Sequence, residues 1–304
     1  MSRDVVVIMG PQSWWLDESR VIEAFGEVEV SRAAHRDFPD GETYVRVDPG
    51  LVRGRRVLLL QSLAPPQDKS LWQLVLMADA CRRAGAERLL ALVPYLAYAR
   101  QDKVFLPGEP VSVFALLEVL SLQGIRALFA VDVHSASVLR AFGGYAENVL
   151  ATRALAEAAA GLRPENLVVL APDAGALYRA RSLAAILGAP HDYLEKRRDR
   201  VTGEVSVSPK SVDVSGRDVL IVDDIISTGG TVARAAAMML ERGAKSVRVV
   251  ASHALMCGGA RERLREAGVA EVHALDTLPP VEGVVYHSFL REAAEAIERS
   301  GLLR

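Results

Sequence analysis

The chain has 304 residues, half of them hydrophobic and 24% charged, with a formal net charge of −2. That length gives room for two domains of ordinary size, and the composition excludes a disordered chain. The charge balance excludes a bulk basic field of the kind that draws nucleic acid or an anionic membrane.

The first apolar run, "VVVIM" after Asp4, is short and predicts a strand, not a secretory signal. No window of about 18 uncharged apolar residues follows, so a cytoplasmic protein without membrane partners is expected. The next turn, "GPQSWWLDE", carries Trp14 and Trp15 side by side, which points to packing or an interface. Cys81 and Cys257 match no metal-ligand spacing, and both are expected to be packing residues.

Further along, "RVLLLQS", "RLLALVPY", "ALFAVDVH", "LVVLAPD", "DVLIVDD" and "VRVVASHAL" alternate with Ala/Leu/Arg/Glu stretches of helical period. Near-continuous apolar strands separated by helices predict a mostly parallel sheet flanked by helices on both faces. Two segments also repeat: "GRRVLLLQS" from Gly54 aligns with "GRDVLIVDD" from Gly216, and "CRRAGAERLLALVPY" with "LERGAKSVRVVASHA". Gly85 and Gly243 take the same place, where a left-handed residue closes a helix. The expectation is a duplicated α/β domain divided at residues 1–147 and 148–304, with the last helix able to pack back on the first half.

The copies differ after the first of these strands. Gln61, Ser62 and "LAPPQDKS" stand in the first, whereas the second has Asp223, Asp224 and then Ser227, Thr228, Gly229, Gly230 and Thr231. Such a turn between strand and helix aims several backbone N–H groups and the positive end of the helix dipole at one anion, and glycine lets the backbone approach closely. A phosphomonoester fits it without a lysine. Carboxylates beside a phosphate repel it, so Asp223 and Asp224 face something else: vicinal hydroxyls or a bound cation. Both lie at the carboxyl end of a strand, where open α/β sheets bind ligands.

The stretch "LEKRRDRVTGEV" concentrates Lys196, Arg197, Arg198 and Arg200; by charge alone it reads equally as a solvated basic hairpin or a mobile loop. His134 and Asp173 each end a strand-like run. "FPDGE" can set Phe38 against Arg100 as two stacking faces, with Asp40, Glu42 and Gln101 reading a polar edge; it reads also as a core Phe before a hairpin turn.

Taken in order, "FPDGE" (38–42), "PYLAYARQD" (94–102), "VDVHS" (131–135), "APDAGALYRAR" (171–181), "EKRR" (195–198) and "IVDDIISTGGT" (221–231) resemble the ribose-phosphate pyrophosphokinase family over nearly the whole chain. The resemblance implies two type I phosphoribosyltransferase-like domains, the first a degenerate copy on the ATP side. It implies transfer of the β,γ-diphosphoryl group of ATP to the anomeric hydroxyl of ribose 5-phosphate, giving 5-phosphoribosyl 1-diphosphate and AMP, with Mg2+. Lys196 and Arg198 match the pair that stabilises the transferring group, and Phe38, Asp40, Glu42, Arg100, Gln101, Asp102 and His134 match the ATP site. Asp223, Asp224 and residues 227–231 match the ribose 5-phosphate site, and Asp173, Ala174, Gly175 and Ala176 the diphosphate loop. His134 and Asp173 match metal contacts. The Phe-bearing segment comes from a neighbouring subunit in this family, which implies a homo-oligomer with ATP at a subunit interface. Ser227 and "KVFLPGEPVS" depart from many members and look more like the archaeal type, and Ala176 stands where a second glycine is common. A nucleobase phosphoribosyltransferase shares the 223–231 signature but needs no duplicated domain. A non-catalytic homologue that regulates a true synthase has no need of Lys196, Arg198, His134 and Asp173.

Overall fold

The computed structural model describes residues 4–198, 205–209 and 212–303, and of residues 196–198 and 205–209 only the backbone. The chain forms two compact units, one of residues 1–150, 277–279 and 289–304, the other of residues 151–276 and 280–288.

In the first unit, strands β1 (Val5–Met9), β2 (Glu29–Arg32), β5 (Arg56–Leu60), β6 (Arg88–Val93), β7 (Ile125–Val131) and β8 (Tyr145–Val149) form one sheet in the order β2-β1-β5-β6-β7-β8. Every pairing in it is parallel. Strands β3 (Ala34–Asp37) and β4 (Thr43–Arg46) make a separate antiparallel ribbon. Helices α1 (Glu18–Phe25), α2 (Pro49–Val52), α3 (Gln67–Arg83), α4 (Ser112–Leu122) and, from the chain end, α9 (Leu290–Ser300) complete it.

In the second unit, helix α5 (Thr152–Ala156) precedes β9 (Leu167–Ala171), α6 (Leu177–Leu187), β10 (His191–Arg198), β11 (Val205–Pro209), β12 (Asp218–Ile226), α7 (Gly230–Glu241), β13 (Ser246–Ala254), α8 (Ala260–Glu266), β14 (Glu271–Leu275) and β15 (Val284–His287). The sheet order is β11-β10-β9-β12-β13-β14-β15. Only β10 and β11 pair antiparallel. A strand of a two-sided sheet has no polar face to spare, and Val219, Leu220, Ile221 and Val222 of β12 are all fully buried. Each such side chain contributes roughly 1.5–3 kcal/mol by leaving water.

The duplication extends to single hydrogen bonds. Gly85 and Gly243 are both left-handed, at φ 88° and 83°. Gly54 N donates to Gly85 O and Gly216 N to Gly243 O, each at 2.8 Å. Glu87 N donates to Arg55 O just as Lys245 N does to Arg217 O. Leaving out the ribbon and β11, the strand orders β2-β1-β5-β6-β7-β8 and β10-β9-β12-β13-β14-β15 are the same permutation.

The cysteines separate. Cys81 is buried, which pushes its thiol up to about 12. Cys257, expected in the core, is exposed. It follows β13 in a segment that carries the left-handed residues Met256, Gly258 and Gly259, so the apolar pattern of the strand does not extend to it. Trp14 is 60% exposed and stands edge-on to Trp15 at 5.8 Å. Among the described residues no helix is long and apolar enough to cross a membrane.

Candidate active site

Parallel strands β9 and β12 are neighbours, with Ile221 opposite Leu170, so the loops leaving their carboxyl ends lie side by side. Asp223 and Asp224 lie near the carboxyl end of β12, which runs on to Ile226, and residues 227–231 turn from it into α7. Gly229 sits at φ 73° and ψ 0°, a left-handed conformation that costs other L-residues roughly 1–2 kcal/mol, and it caps α7. Thr228 and Thr231 are exposed, and among the described hydrogen bonds none takes the amides of Thr228, Gly229, Gly230 or Thr231. The turn presents open donors at a helix start, the arrangement that receives an anion.

Its frame is fixed from behind. Met256 N donates to Ile226 O at 3.0 Å and Cys257 N to Ser227 O at 2.9 Å. Arg263, on α8, donates to Thr228 O and to Gly258 O. In the first unit the corresponding turn after β5 is spent on its own interior. Gln61 and Ser62 are fully buried; Gln61 Oε1 accepts from Gln12 N at 2.9 Å, and Ser62 Oγ donates to Thr277 O at 2.7 Å.

The two adjacent acids have different surroundings. Asp224 is 5% exposed and pairs with Arg179 at 3.4 Å through its Oδ2, while its Oδ1 accepts from Ile225 N at 2.8 Å. Asp223 accepts from Asp224 N at 2.9 Å, and its carboxyl is pushed up to about 7 by burial first and then by the charge of Asp224, with Asp173 adding to it. Asp173 therefore belongs to the same acidic group, at the end of the neighbouring strand.

The loop of residues 173–176 is ordered by its own first side chain: Asp173 Oδ1 accepts from Gly175 N at 2.8 Å and from Ala176 N at 3.2 Å. Ala176 has φ −86° and ψ −2°, an ordinary conformation for alanine, so no second glycine is required there. Arg179, in the first turn of the following helix, was not distinguished by sequence: "LYRARSL" offers its arginines as solvated helix positions, yet Arg179 is 8% exposed.

The remaining sequence candidates divide between the units. Phe38, Asp40 and Glu42 are exposed at the tip of the β3–β4 ribbon, where Phe38 N donates to Glu42 O at 2.8 Å. The guanidinium over the Phe38 ring is that of Arg36, at 5.1 Å, and no described contact joins Phe38 to Arg100. Arg100 is exposed and Gln101 and Asp102 are half-buried, all in the loop after β6. His134 is exposed in the turn after β7. Lys196 and Arg198 fall on β10, opposite Val207 and Val205 of β11; their side chains lie outside the described residues. Among the described residues no three His, Cys, Asp or Glu side chains group as a ready-made metal cage.

Residues 16–124 match the family profile of the N-terminal domain of ribose phosphate pyrophosphokinase, and residues 145–277 that of the phosphoribosyl transferase domain. The chain is 42% identical over 275 residues to a ribose-phosphate pyrophosphokinase of Saccharolobus solfataricus, covering 90% of this chain and 93% of that one. It is 43% identical over 259 residues to the ribose-phosphate pyrophosphokinase of Pyrococcus abyssi, covering 83% and 88%. A crystal structure of phosphoribosylpyrophosphate synthetase from Mycobacterium smegmatis aligns with a TM-score of 0.85 at 31% identity, over 98% of both chains. The chain belongs to the ribose-phosphate pyrophosphokinase family.

Proposed function

We propose that this protein transfers the β,γ-diphosphoryl group of ATP to the anomeric hydroxyl of ribose 5-phosphate, yielding 5-phosphoribosyl 1-diphosphate and AMP for nucleotide biosynthesis in the cytoplasm. The observation that carries this reading is the open turn of residues 227–231 behind an acid pair, Asp224 buried and Asp223 half-buried, beside a second loop on the adjacent strand. The amides of the turn and the hydroxyls of Ser227, Thr228 and Thr231 hold the 5-phosphate. Asp224 and Asp223 accept hydrogen bonds from the vicinal ribose hydroxyls. The loop at 173–176 receives the transferred diphosphate, and in doing so its Gly175 and Ala176 amides exchange the Asp173 carboxylate for phosphate oxygens.

In the first unit, Phe38, Asp40, Glu42, Arg100, Gln101, Asp102 and His134 bind ATP. The exposed ribbon that carries Phe38 suits a segment that serves the nucleotide site of a neighbouring copy in a homo-oligomer. The anomeric oxygen attacks the β-phosphorus and releases its proton to solvent, the bond from that phosphorus to the bridging oxygen of AMP breaks, and AMP leaves with the electron pair. No side chain is an evident strong base, so the protein's part is to position and to neutralise charge. Lys196 and Arg198 supply positive charge to the transferring group.

Asp173, Asp223 and Asp224 place carboxylate oxygens at the ends of two adjacent strands, the donor type that a hard divalent cation takes. Mg2+ is the metal we assign, and Asp173 and His134 are the residues we assign to metal binding. When bound, such an ion would supply neutralising charge to the phosphates and lower the pKa of the attacking hydroxyl.

Incubating the protein with Mg2+, ribose 5-phosphate and ATP is expected to give AMP and 5-phosphoribosyl 1-diphosphate in equal amounts. ADP instead of AMP would mean an ordinary kinase, and product formed only from a nucleobase and the diphosphate would select the phosphoribosyltransferase reading.

Ribose binding is expected to depend on pH through Asp223. Only the anion accepts two hydroxyl bonds, so affinity rises as pH climbs through about 7. The fold responds oppositely: with a folded-state value above the ordinary 3.8, ionisation of buried Asp223 costs stability fully above pH 7, and the cost fades as pH falls toward 4. Calorimetry between pH 5.5 and 8.5 reads the first effect. Asp223→Asn should flatten it, leaving only the titration of the sugar phosphate near pH 6, and should raise Tm more at pH 8 than at pH 5. A wild-type affinity that stays level across this range would dismiss the role of Asp223.

A further inference from the structure

Arg179 is a buried cation with unfinished contacts. Its Nη2 reaches Asp224 Oδ2 at 3.4 Å, a long contact for a charge-assisted pair, while its buried Nε has no hydrogen-bond partner among the described residues. A buried N–H left unpaired costs roughly 1–3 kcal/mol, so its persistence in a well-packed helix calls for a cause. Nε and Nη2 are the two donors of one side of a guanidinium, the side that grips a carboxylate at two points. The free protein therefore holds half of a two-point contact. Arg179 also stands in the first turn of α6, immediately behind the loop at 173–176, whereas Asp224 lies near the carboxyl end of β12. The guanidinium joins the bases of both ligand loops.

Resting on the reading of residues 223–231 as the ribose 5-phosphate site, we propose that Arg179 is a positioning residue for the pentose. It fixes Asp224 as an oriented anion, and its contact completes to two points when ribose hydroxyls take up the other side of that carboxylate. Arg179 touches neither the reacting phosphorus nor the attacking oxygen. Its removal should therefore weaken ribose 5-phosphate binding with little effect on kcat or on ATP. Specificity follows as well: a 2-deoxypentose phosphate, which gives Asp224 less to bind, should lose less when Arg179 is removed.

The test combines calorimetric Kd for ribose 5-phosphate, steady-state kinetics and thermal unfolding on the full chain. Arg179→Gln should raise Kd and KM for ribose 5-phosphate about 10- to 100-fold, the effect of losing one buried charge-assisted contact, with kcat and the KM for ATP within about threefold. Arg179→Lys, which keeps the charge but not the fork, should lie between. Arg179→Gln in an Asp224→Asn background should cost less than about threefold, because the group it orients is already neutral. If the single variant fails to fold, the pair Asp224→Asn and Asp224→Asn/Arg179→Gln carries the comparison. A tenfold gap between those two, or a proportional loss of kcat and both affinities in Arg179→Gln, overturns the proposal. Absence of ribose 5-phosphate binding by the wild-type protein would instead overturn the site reading on which it rests.

Discussion

Replacing Lys196 by alanine is expected to lower kcat by about 10³ to 10⁴, with KM for both substrates within about threefold. Diphosphoryl transfer asks little covalent chemistry of the protein, so the charge that builds on the moving group is where the chain has leverage. An ammonium that meets this charge only in the transition state raises kcat without holding product. The stretch "LEKRRDRVTGEV" gathers Lys196, Arg197, Arg198 and Arg200 in sequence, and β10, which carries Lys196, pairs directly with β9, the strand that leads into the loop at 173–176. Arg198→Ala should cost about 10² to 10³, and the double variant less than the product of the two, since residues that act on one group do not add. Single-turnover kinetics at saturating ATP and ribose 5-phosphate measure this. A tenfold or smaller loss in kcat for Lys196→Ala would remove it from the chemistry.

The parts of this protein that sequence displays are those whose physics is local. Continuous Val/Leu/Ile runs become buried parallel strands because both faces of the sheet are covered, and the Ser-Thr-Gly-Gly-Thr turn declares its anion cradle because glycine's freedom and a helix start are both written within five positions. Duplication was legible for the same reason, since each Gly-Ala helix end, at Gly85 and Gly243, sets its own left-handed cap. What escaped was long-range. Arg179 sits in a helical stretch next to Arg181, and nothing nearby separates the buried arginine from its exposed neighbour; its partner Asp224 lies 45 positions away. Arg263 is similarly silent until α8 brings it to Thr228, 35 positions back. Cys257 misled because its composition continues an apolar run whose backbone has already turned out of the sheet. The side chain of Asp173 also orders its own loop, a contact that "APDAG" does not display in sequence.

Gly229→Val is expected to raise the Kd for ribose 5-phosphate by about a hundredfold or more while the KM for ATP stays within about twofold. Two penalties converge at this residue. Its φ of 73° is left-handed, which for a β-branched side chain costs more than the 1–2 kcal/mol typical of other residues. A Cβ there would meet Ala260 Cβ at 3.4 Å and Ala260 O and Leu264 Cγ at 3.5 Å, all on α8, so valine's two further methyls have nowhere to go without moving the turn. The turn is the whole of the proposed phosphate cradle, and about 2.7 kcal/mol is all that a hundredfold change requires. Gly230 supplies the control. It lies outside the left-handed region, and a Cβ there would find nothing closer than Arg234 Nη1 at 3.7 Å, so Gly230→Ala should leave Tm within about 2 °C. If a phosphate nonetheless sits against the Gly230 backbone, that same alanine should weaken ribose 5-phosphate about tenfold, because the added methyl stands where the oxygens approach. Gly230→Ala with wild-type affinity and Gly229→Val with only a lowered Tm would mean that the turn is structural and that the pentose phosphate binds elsewhere.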